Sequence, residues 1–336
     1  MAITIKDVAK IAGVSIATVS SALNDKSGVG ANTKFRVLAV AEKLGYEPNI
    51  LARGLVTKQT HTIGLIISDI SNPFFTRVVR GIEDVANENG FNLILCNTDE
   101  EEKKEKDYLR ILQGKQVDGF IIASAGGDST HIKNLVKKNI PVVLLDRKLE
   151  GLHIDSVAVN NIEGSYKATS HLIKLGHRKI GIIHGPKTIT TGGDRLEGYK
   201  MALKDHNIPF DSKYIKEGNF KQEGGHSKTL ELLDLRHPPS ALFVTNNLMT
   251  IGALKALKER KIRIPEEVAL ISFDDMEWAS LASPPLTAVS QPTYELGTSA
   301  ANLLLSRMKA HSPQKVQEIV LKSELVIRKS CGEKGK

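Results

Sequence analysis

Cysteine is nearly absent from this chain of 336 residues: Cys96 and Cys331, far apart, are the whole supply. Two such distant thiols form neither a disulfide framework nor the ligand spacing of a zinc site. Long apolar runs are missing too. No stretch approaches the roughly 18–20 residues a membrane helix needs. The opening MAITIKDVAK carries no signal-peptide core, so a cytoplasmic protein without a membrane partner is expected. Catalytic signatures are also missing: there is no GxSxG elbow, Walker loop, HExxH or GxGxxG. Asp274 and Asp275 are adjacent, a poor arrangement for an acid and a base flanking a substrate. No enzyme, catalytic residue, metal or cofactor is expected. The tail KSCGEKGK lacks leucine heptads, which argues against a tetramerising coiled coil.

What is present is positive charge. The formal net charge is +8. Residues 1–60 hold eight Lys and Arg against four Asp and Glu, so half the excess sits in under a fifth of the chain. Charge alone fits a solvated surface as well as a footprint for phosphates. The pattern of those residues is more specific. Thr4, with Asp7 three residues on, starts a helix whose apolar positions are Ile5, Val8, Ala9 and Ala12. Gly13 supplies a turn, and Ser15 caps a second helix that buries Val19, Ala22 and Leu23. A third helix over 32–44 buries Val37, Val40, Ala41 and Leu44 and ends at Gly45. Two short helices joined through AGVS predict a helix-turn-helix, whose second helix enters the DNA major groove. The alternative is a generic three-helix bundle. The second helix presents Ile16, Ala17, Thr18 and Ser21. These short side chains let it seat deeply, with methyls for thymine and hydroxyls for bases or phosphates.

From His61 onward, short apolar runs alternate with helical segments. TIGLIIS, FNLILCN, GFIIAS, PVVLLD, KIGIIHG, ALFVTN and VALISFD read as strands. Thr76–Asn89, Glu163–Leu175, Arg195–His206 and Met249–Arg260 read as helices between them. These are parallel βαβ units in two doubly wound lobes with a break near 155–162. Such sheets bind ligands beyond the carboxyl ends of their strands. Polar residues stand there: Ser68 and SNPFF (71–75), Asp146 and Arg147, Arg195, Asn246, Asp274 and Gln291. Each alone could be a cap or an exposed loop residue, and Phe74 and Phe75 could be core; together they point to one cleft. Carboxylates accept from paired hydroxyls, Arg donates, and Asn and Gln do both. Two Asp facing two Arg give a balanced pocket that suits a neutral sugar over a sugar phosphate.

ITIKDVAKIAGVSIATVSSALN followed by LGYEPNILARGLVTKQTHTIGLII resembles the lactose/galactose repressor family of bacterial transcription regulators, and the likeness runs through essentially the whole chain. It implies a helix-turn-helix head (1–48), a hinge helix and linker (49–60) and a periplasmic-binding-protein-like core (61–336). The core would have an N-terminal lobe of about 61–159 and 291–320 and a C-terminal lobe of about 160–290 and 321–332, with three chain crossings. It also implies a homodimer on double-stranded operator DNA, with hinge helices in the minor groove and Leu55 wedged between base pairs. The candidate DNA-contacting set is Thr4, Ser15, Ile16, Ala17, Thr18, Ser20, Ser21, Asn24, Thr33, Asn49, Arg53 and Leu55. Ser21, Gly30 and Lys34 depart from the usual family residues, as does Asn247, where an aspartate is common.

In the core, SNPFF, PVVLLDR, RLEGY, TNN, SFD and SQP resemble the words that hold ribose in the ribose-binding protein. The resemblance implies effector contacts from Ser68, Asn72, Phe74, Phe75, Asp146, Arg147, Arg195, Phe220, Asn246, Asp274 and Gln291, with Phe273 nearby. The expected function is a repressor released from its operator by a small sugar, ribose or a similar pentose. The alternative is a catabolite-control-type regulator whose effector is a phosphoprotein or another sugar derivative.

Overall fold

A computed structural model describes residues 3–23, 28–46, 59–310, 312 and 314–332. The chain divides into two compact units, Met1–Thr60 and His61–Lys336.

In the first unit, α1 (Ile5–Ala12), α2 (Ile16–Leu23) and α3 (Ala31–Leu44) close around Val8, Ala9, Ala12, Val19, Ala22, Val37 and Ala41. Leu23, Val40 and Leu44 are only half-buried at the rim of this core. Small residues fill most of it, so the helices approach closely. The Asp7 carboxylate accepts from both the backbone N–H and the hydroxyl of Thr4, 2.9 and 2.7 Å away, which pins the start of α1. Gly13 takes the left-handed conformation (φ 63°) that ends α1 and turns the chain.

The second unit holds two six-stranded sheets. The first runs through β1 (Thr62–Ile67), β2 (Asn92–Asn97), β3 (Gly119–Ile122), β4 (Val142–Leu145) and β5 (Ser156–Val159). It is interleaved with α4 (Pro73–Glu88), α5 (Glu102–Gly114) and α6 (Thr130–Lys137). The second runs through β6 (Ile180–His184), β7 (Ile215–Glu217), β8 (Ala241–Val244), β9 (Ala269–Phe273) and β10 (Thr287–Ser290). Its helices are α7 (Asn161–Lys174), α8 (Thr190–Asp205), α9 (Gln222–Leu233), α10 (Asn247–Glu259) and the short α11 (Glu277–Leu281). Then α12 (Thr293–Lys309) and β11 (Glu318–Leu321) return to the first lobe, and β12 (Glu324–Val326) joins the second.

The strand orders are β11-β5-β4-β3-β1-β2 and β12-β10-β9-β8-β6-β7. All pairs are parallel except β10 with β12. Central strands such as β3, β4, β8 and β9 are buried throughout, as expected where helices cover both faces. The chain passes between lobes after Val159, at Gln291–Pro292 and at Lys322–Ser323, so three connections join them.

Two expectations need correction. Residues 156–159, read as part of a break, form the buried strand β5. The four expected helices begin two to five residues earlier, at 73, 161, 190 and 247. The cause in three of them is an asparagine N-cap. Asn72, Asn160 and Asn246 accept from the backbone N–H of Phe74, Glu163 and Met249. Such a cap is worth about 1 kcal/mol.

Among the described residues, no helix is long and apolar enough to cross a membrane. Helices α4 and α12 cross at Gly81 and Gly297, where an added Cβ would overlap a backbone carbonyl of the partner helix. Gly297→Ala should therefore destabilise the larger unit by about 1–3 kcal/mol, the usual cost of overpacking. The midpoint of thermal unfolding by calorimetry should fall by several degrees; an unchanged midpoint would show that these helices can separate freely.

Candidate functional site

Two sites follow from the two units. In the first, α2 carries the residues expected to read DNA. Ile16 is 45% exposed, Ala17 is exposed, and Thr18, Ser20 and Ser21 are half-buried, while Val19 and Ala22 point into the core. Ser15 and Thr18 also fix the start of α2. The Ser15 hydroxyl accepts from the Thr18 N–H at 3.1 Å and bonds its hydroxyl at 2.9 Å. Thr4 is exposed and bound to Asp7, and Thr33 lies half-buried in the first turn of α3. Asn24, Asn49, Arg53 and Leu55 lie outside the described residues.

The second site is a cleft between the two lobes of the larger unit. It encloses about 370 Å³, space open to solvent included. The enclosed cavity itself is only about 20 Å³, room for roughly one water. Asn72, Phe74, Phe75, Asp146, Arg147, Arg195, Phe220, Asn246, Asp274 and Gln291 line it, with Asp69, Glu100 and Thr191. Ser68, expected at the cleft, is fully buried and does not line it; its carbonyl instead accepts from the Glu100 N–H. Phe273 lies behind the wall, its ring centroid 3.8 Å from the Arg195 guanidinium. Arg195 does not stand at a strand end. It is on the sixth residue of α8, which brings it to the cleft from the helix side.

Backbone conformation aims several of these side chains. Asp146, Asp274 and Phe220 follow strands or loops with φ of 65°, 75° and 60°, and Glu100 has 66°. Non-glycine residues there carry strain of order 1–3 kcal/mol each, a state kept where surrounding structure requires it. SNPFF is not a loop: Asn72 caps α4, Pro73 is its first residue, and Phe74 and Phe75 pack edge-to-face at the cleft. Asn72 and Asn246 are thus both helix caps and cleft residues.

The electrostatics differ from the balanced pocket expected. Four carboxylates line the cleft, from Asp69, Glu100, Asp146 and Asp274, against the guanidinium groups of Arg147 and Arg195. Lys221 adds a third cation by holding Asp69 at 2.6 Å. Glu100 grips both arms of Arg147, at 2.6 and 2.7 Å. Arg195 donates to Asn161 at 2.8 Å and to the Thr245 carbonyl at 2.6 Å. Asp274 accepts from the Gln291 amide and the Asn247 N–H.

Burial raises the carboxyl of Asp146 to about 6, although Arg147 and Arg195 oppose this; burial likewise raises that of Asp274. Three cleft residues keep a buried polar atom without a protein partner: Asp146 Oδ1, Arg147 Nε and Gln291 Oε1. The lobes also meet directly. Asn247 donates to Asn72 at 2.8 Å, Lys221 bonds Asp69, and Arg147 lies 5.3 Å from the Phe220 ring centroid.

Sequence reasoning missed Asp69, Glu100 and Thr191. Glu100 sits in the run TDEEEKKEKD, whose composition is that of a solvated helix start. Nothing local marks Glu100 as a cleft residue, and Glu105 of the same run is fully buried as well.

Comparison with known proteins bears on both sites. Residues 4–49 match the bacterial regulatory proteins of the lacI family. Residues 60–324 match the periplasmic binding proteins and sugar binding domain of the LacI family. The chain is 36% identical over 335 residues to the HTH-type transcriptional regulator DegA of Bacillus subtilis (strain 168), covering 98% of each. It superposes on the lac repressor dimer bound to operator and the anti-inducer ONPF with a TM-score of 0.87 at 28% identity, covering 98% of this chain and 99% of that one. A LacI family transcriptional regulator from Enterococcus faecium with bound ribose aligns with a TM-score of 0.72 at 35% identity, covering 80% and 98%.

The raised carboxyl of Asp146 has a consequence for stability. The folded chain binds this proton more tightly than the unfolded chain, so stability is lost as pH rises from about 4 to about 6. A shift of roughly two units amounts to about 3 kcal/mol above pH 6. Asp146→Asn should therefore match the parent near pH 4 and unfold at a higher temperature than the parent at pH 7, both without sugar. Identical pH profiles for the two proteins would show that Asp146 is not a buried titrating group.

Proposed function

The chain belongs to the LacI family of bacterial regulatory proteins, DNA-binding transcriptional repressors with a sugar-binding core, and from that premise we propose that ribose or a similar pentose is its effector and releases it from its operator. The observation that carries this reading is the set of unpaired atoms in the cleft. Asp146 Oδ1 and Gln291 Oε1 are acceptors and Arg147 Nε is a donor. Sugar hydroxyls both donate and accept, so one polyhydroxylated ring can satisfy all three. Phe74, Phe75 and Phe220 offer apolar walls to its C–H faces. The excess of carboxylates favours a neutral ligand. The ribose-bound regulator from Enterococcus faecium supports the choice of pentose.

Mechanistically, two chains form a two-fold dimer in the cytoplasm and read a near-palindromic operator. The residues on α2 supply groove contacts, with Arg53 and the Leu55 pair in the minor groove. Sugar binding draws the lobes of each core together and changes the separation of the hinges. A coupling of about 1–3 kcal/mol would alter operator affinity 5- to 150-fold.

The test begins with Trp278, the single tryptophan of the chain. It is half-buried, and its neighbour Glu277 bonds Arg77 of the other lobe at 2.8 Å. D-ribose should change its fluorescence saturably, whereas cellobiose should not. In an electrophoretic shift, ribose should weaken operator binding within the range above. A sugar-induced tightening would reverse the assigned direction, and silence towards ribose by both fluorescence and calorimetry would end the pentose reading. A second variant separates the two functions: Leu55→Ala should weaken operator binding at least ten-fold and leave ribose affinity unchanged. Unchanged operator affinity would remove the wedge role.

A further inference from the structure

We infer that Glu100 is the residue that restricts this cleft to uncharged ligands, because it occupies the Arg147 fork and keeps a negative charge on the cleft wall. The inference rests on the reading of this cleft as the effector site. Arginine forks bind phosphates and carboxylates two-pronged. In this cleft the fork is taken. Both terminal nitrogens of Arg147 meet the two Glu100 oxygens at 2.6 and 2.7 Å, and one of them also donates to the Ser124 carbonyl at 2.8 Å. Three of its five N–H groups are spent; Nε–H and one terminal N–H remain, and Nε faces the Asp146 carboxylate at 3.8 Å. Arg195 is partly committed too, with Nε on Asn161 and one terminal nitrogen on the Thr245 carbonyl, which leaves its other terminal nitrogen for a ligand.

Glu100 is held in place by its backbone. Its N–H donates to the Ser68 carbonyl at 2.9 Å, and its φ is 66°. A residue with a side chain is kept in that strained conformation, although glycine would adopt it freely. An anionic group entering the cleft would meet the Glu100 carboxylate, find the end of the Arg147 fork occupied and Asp146 facing its remaining edge, and lose its own hydration. A hydroxyl meets no such penalty.

The test compares the parent full chain with Glu100→Gln and Glu100→Gly, the latter suited to the observed φ, by thermal unfolding against inorganic phosphate. Both variants remove the charge and release the fork. Each should gain a saturable rise of several degrees at millimolar phosphate beyond any rise of the parent. Phosphate bound by the basic head is common to all three chains and cancels in the comparison. Equal responses in all three would overturn the role of Glu100. A second arm uses calorimetry: the parent should bind D-ribose at least 100-fold more tightly than D-ribonate, and Glu100→Gln should narrow that ratio at least ten-fold. A ratio unchanged by the substitution counts against Glu100. A parent that binds no pentose ends the pentose reading alone, and the phosphate comparison, which needs no sugar, still decides the role of Glu100.

Discussion

Four ions buried at one seam govern the behaviour of the core. Asp146, Arg147, Arg195 and Asp274 are each at most 6% exposed. Withdrawing such groups from water costs several kcal/mol each unless every hydrogen-bonding position is matched. The surrounding residues are placed to match them. Glu100 and the Ser124 carbonyl take Arg147, Asn161 and the Thr245 carbonyl take Arg195, and Gln291 with the Asn247 N–H takes Asp274. Asp146 and the Nε of Arg147 are incompletely matched. Asp146 is the carboxylate among them. One of its oxygens finds no protein partner, and its carboxyl rises to about 6 as a result of burial. The closed arrangement of the lobes thus carries a defect that a hydroxyl donor can repair.

The fold makes that defect switchable. Each lobe is a rigid sheet with helices on both faces, and only three connections cross between them. Contacts across the seam include Lys221 with Asp69, Asn247 with Asn72, Arg77 with Glu277 and the Lys148 N–H with the Thr190 hydroxyl. Those bonds favour closure, while the buried Asp146 charge, only partly offset by Arg147 and Arg195, opposes it at neutral pH. The penalty on Asp146, about 3 kcal/mol at most, is comparable with the 1–3 kcal/mol typical of allosteric coupling.

Much of the architecture was legible because it rests on local pattern. Parallel strands buried on both faces give runs such as GLII and ALFV, whereas three helix starts were legible only two or three residues late, because Asn72, Asn160 and Asn246 do not stand out as caps. Strand β5 was harder to see: SVAV is four residues long and lies beside a crossing that breaks the βαβ rhythm. In the cleft, residues at strand ends were readable because topology puts those ends together. Arg195 reaches the same place from inside α8, and Glu100 from a charged run beside α5, so no strand rule could find the second of these. Ser68 illustrates the opposite case: a strand-end hydroxyl whose neighbours line the cleft, while its own side chain turns into the lobe.

The two halves of the chain solve recognition with opposite means. On α2 the residues proposed to read DNA, Ile16, Ala17, Thr18 and Ser21, would spread affinity over shape, methyl contacts and phosphate attraction, each of modest size. In the cleft, selection would be concentrated in a few buried groups whose mismatch is costly. Coupling between binding sites is reciprocal: on the proposed function, whatever factor the effector removes from operator affinity, the operator removes from effector affinity. On that reading a coupling of a few kcal/mol suffices for release, and a cleft wall that carries the Glu100 carboxylate would keep the abundant anions of the cell from triggering it.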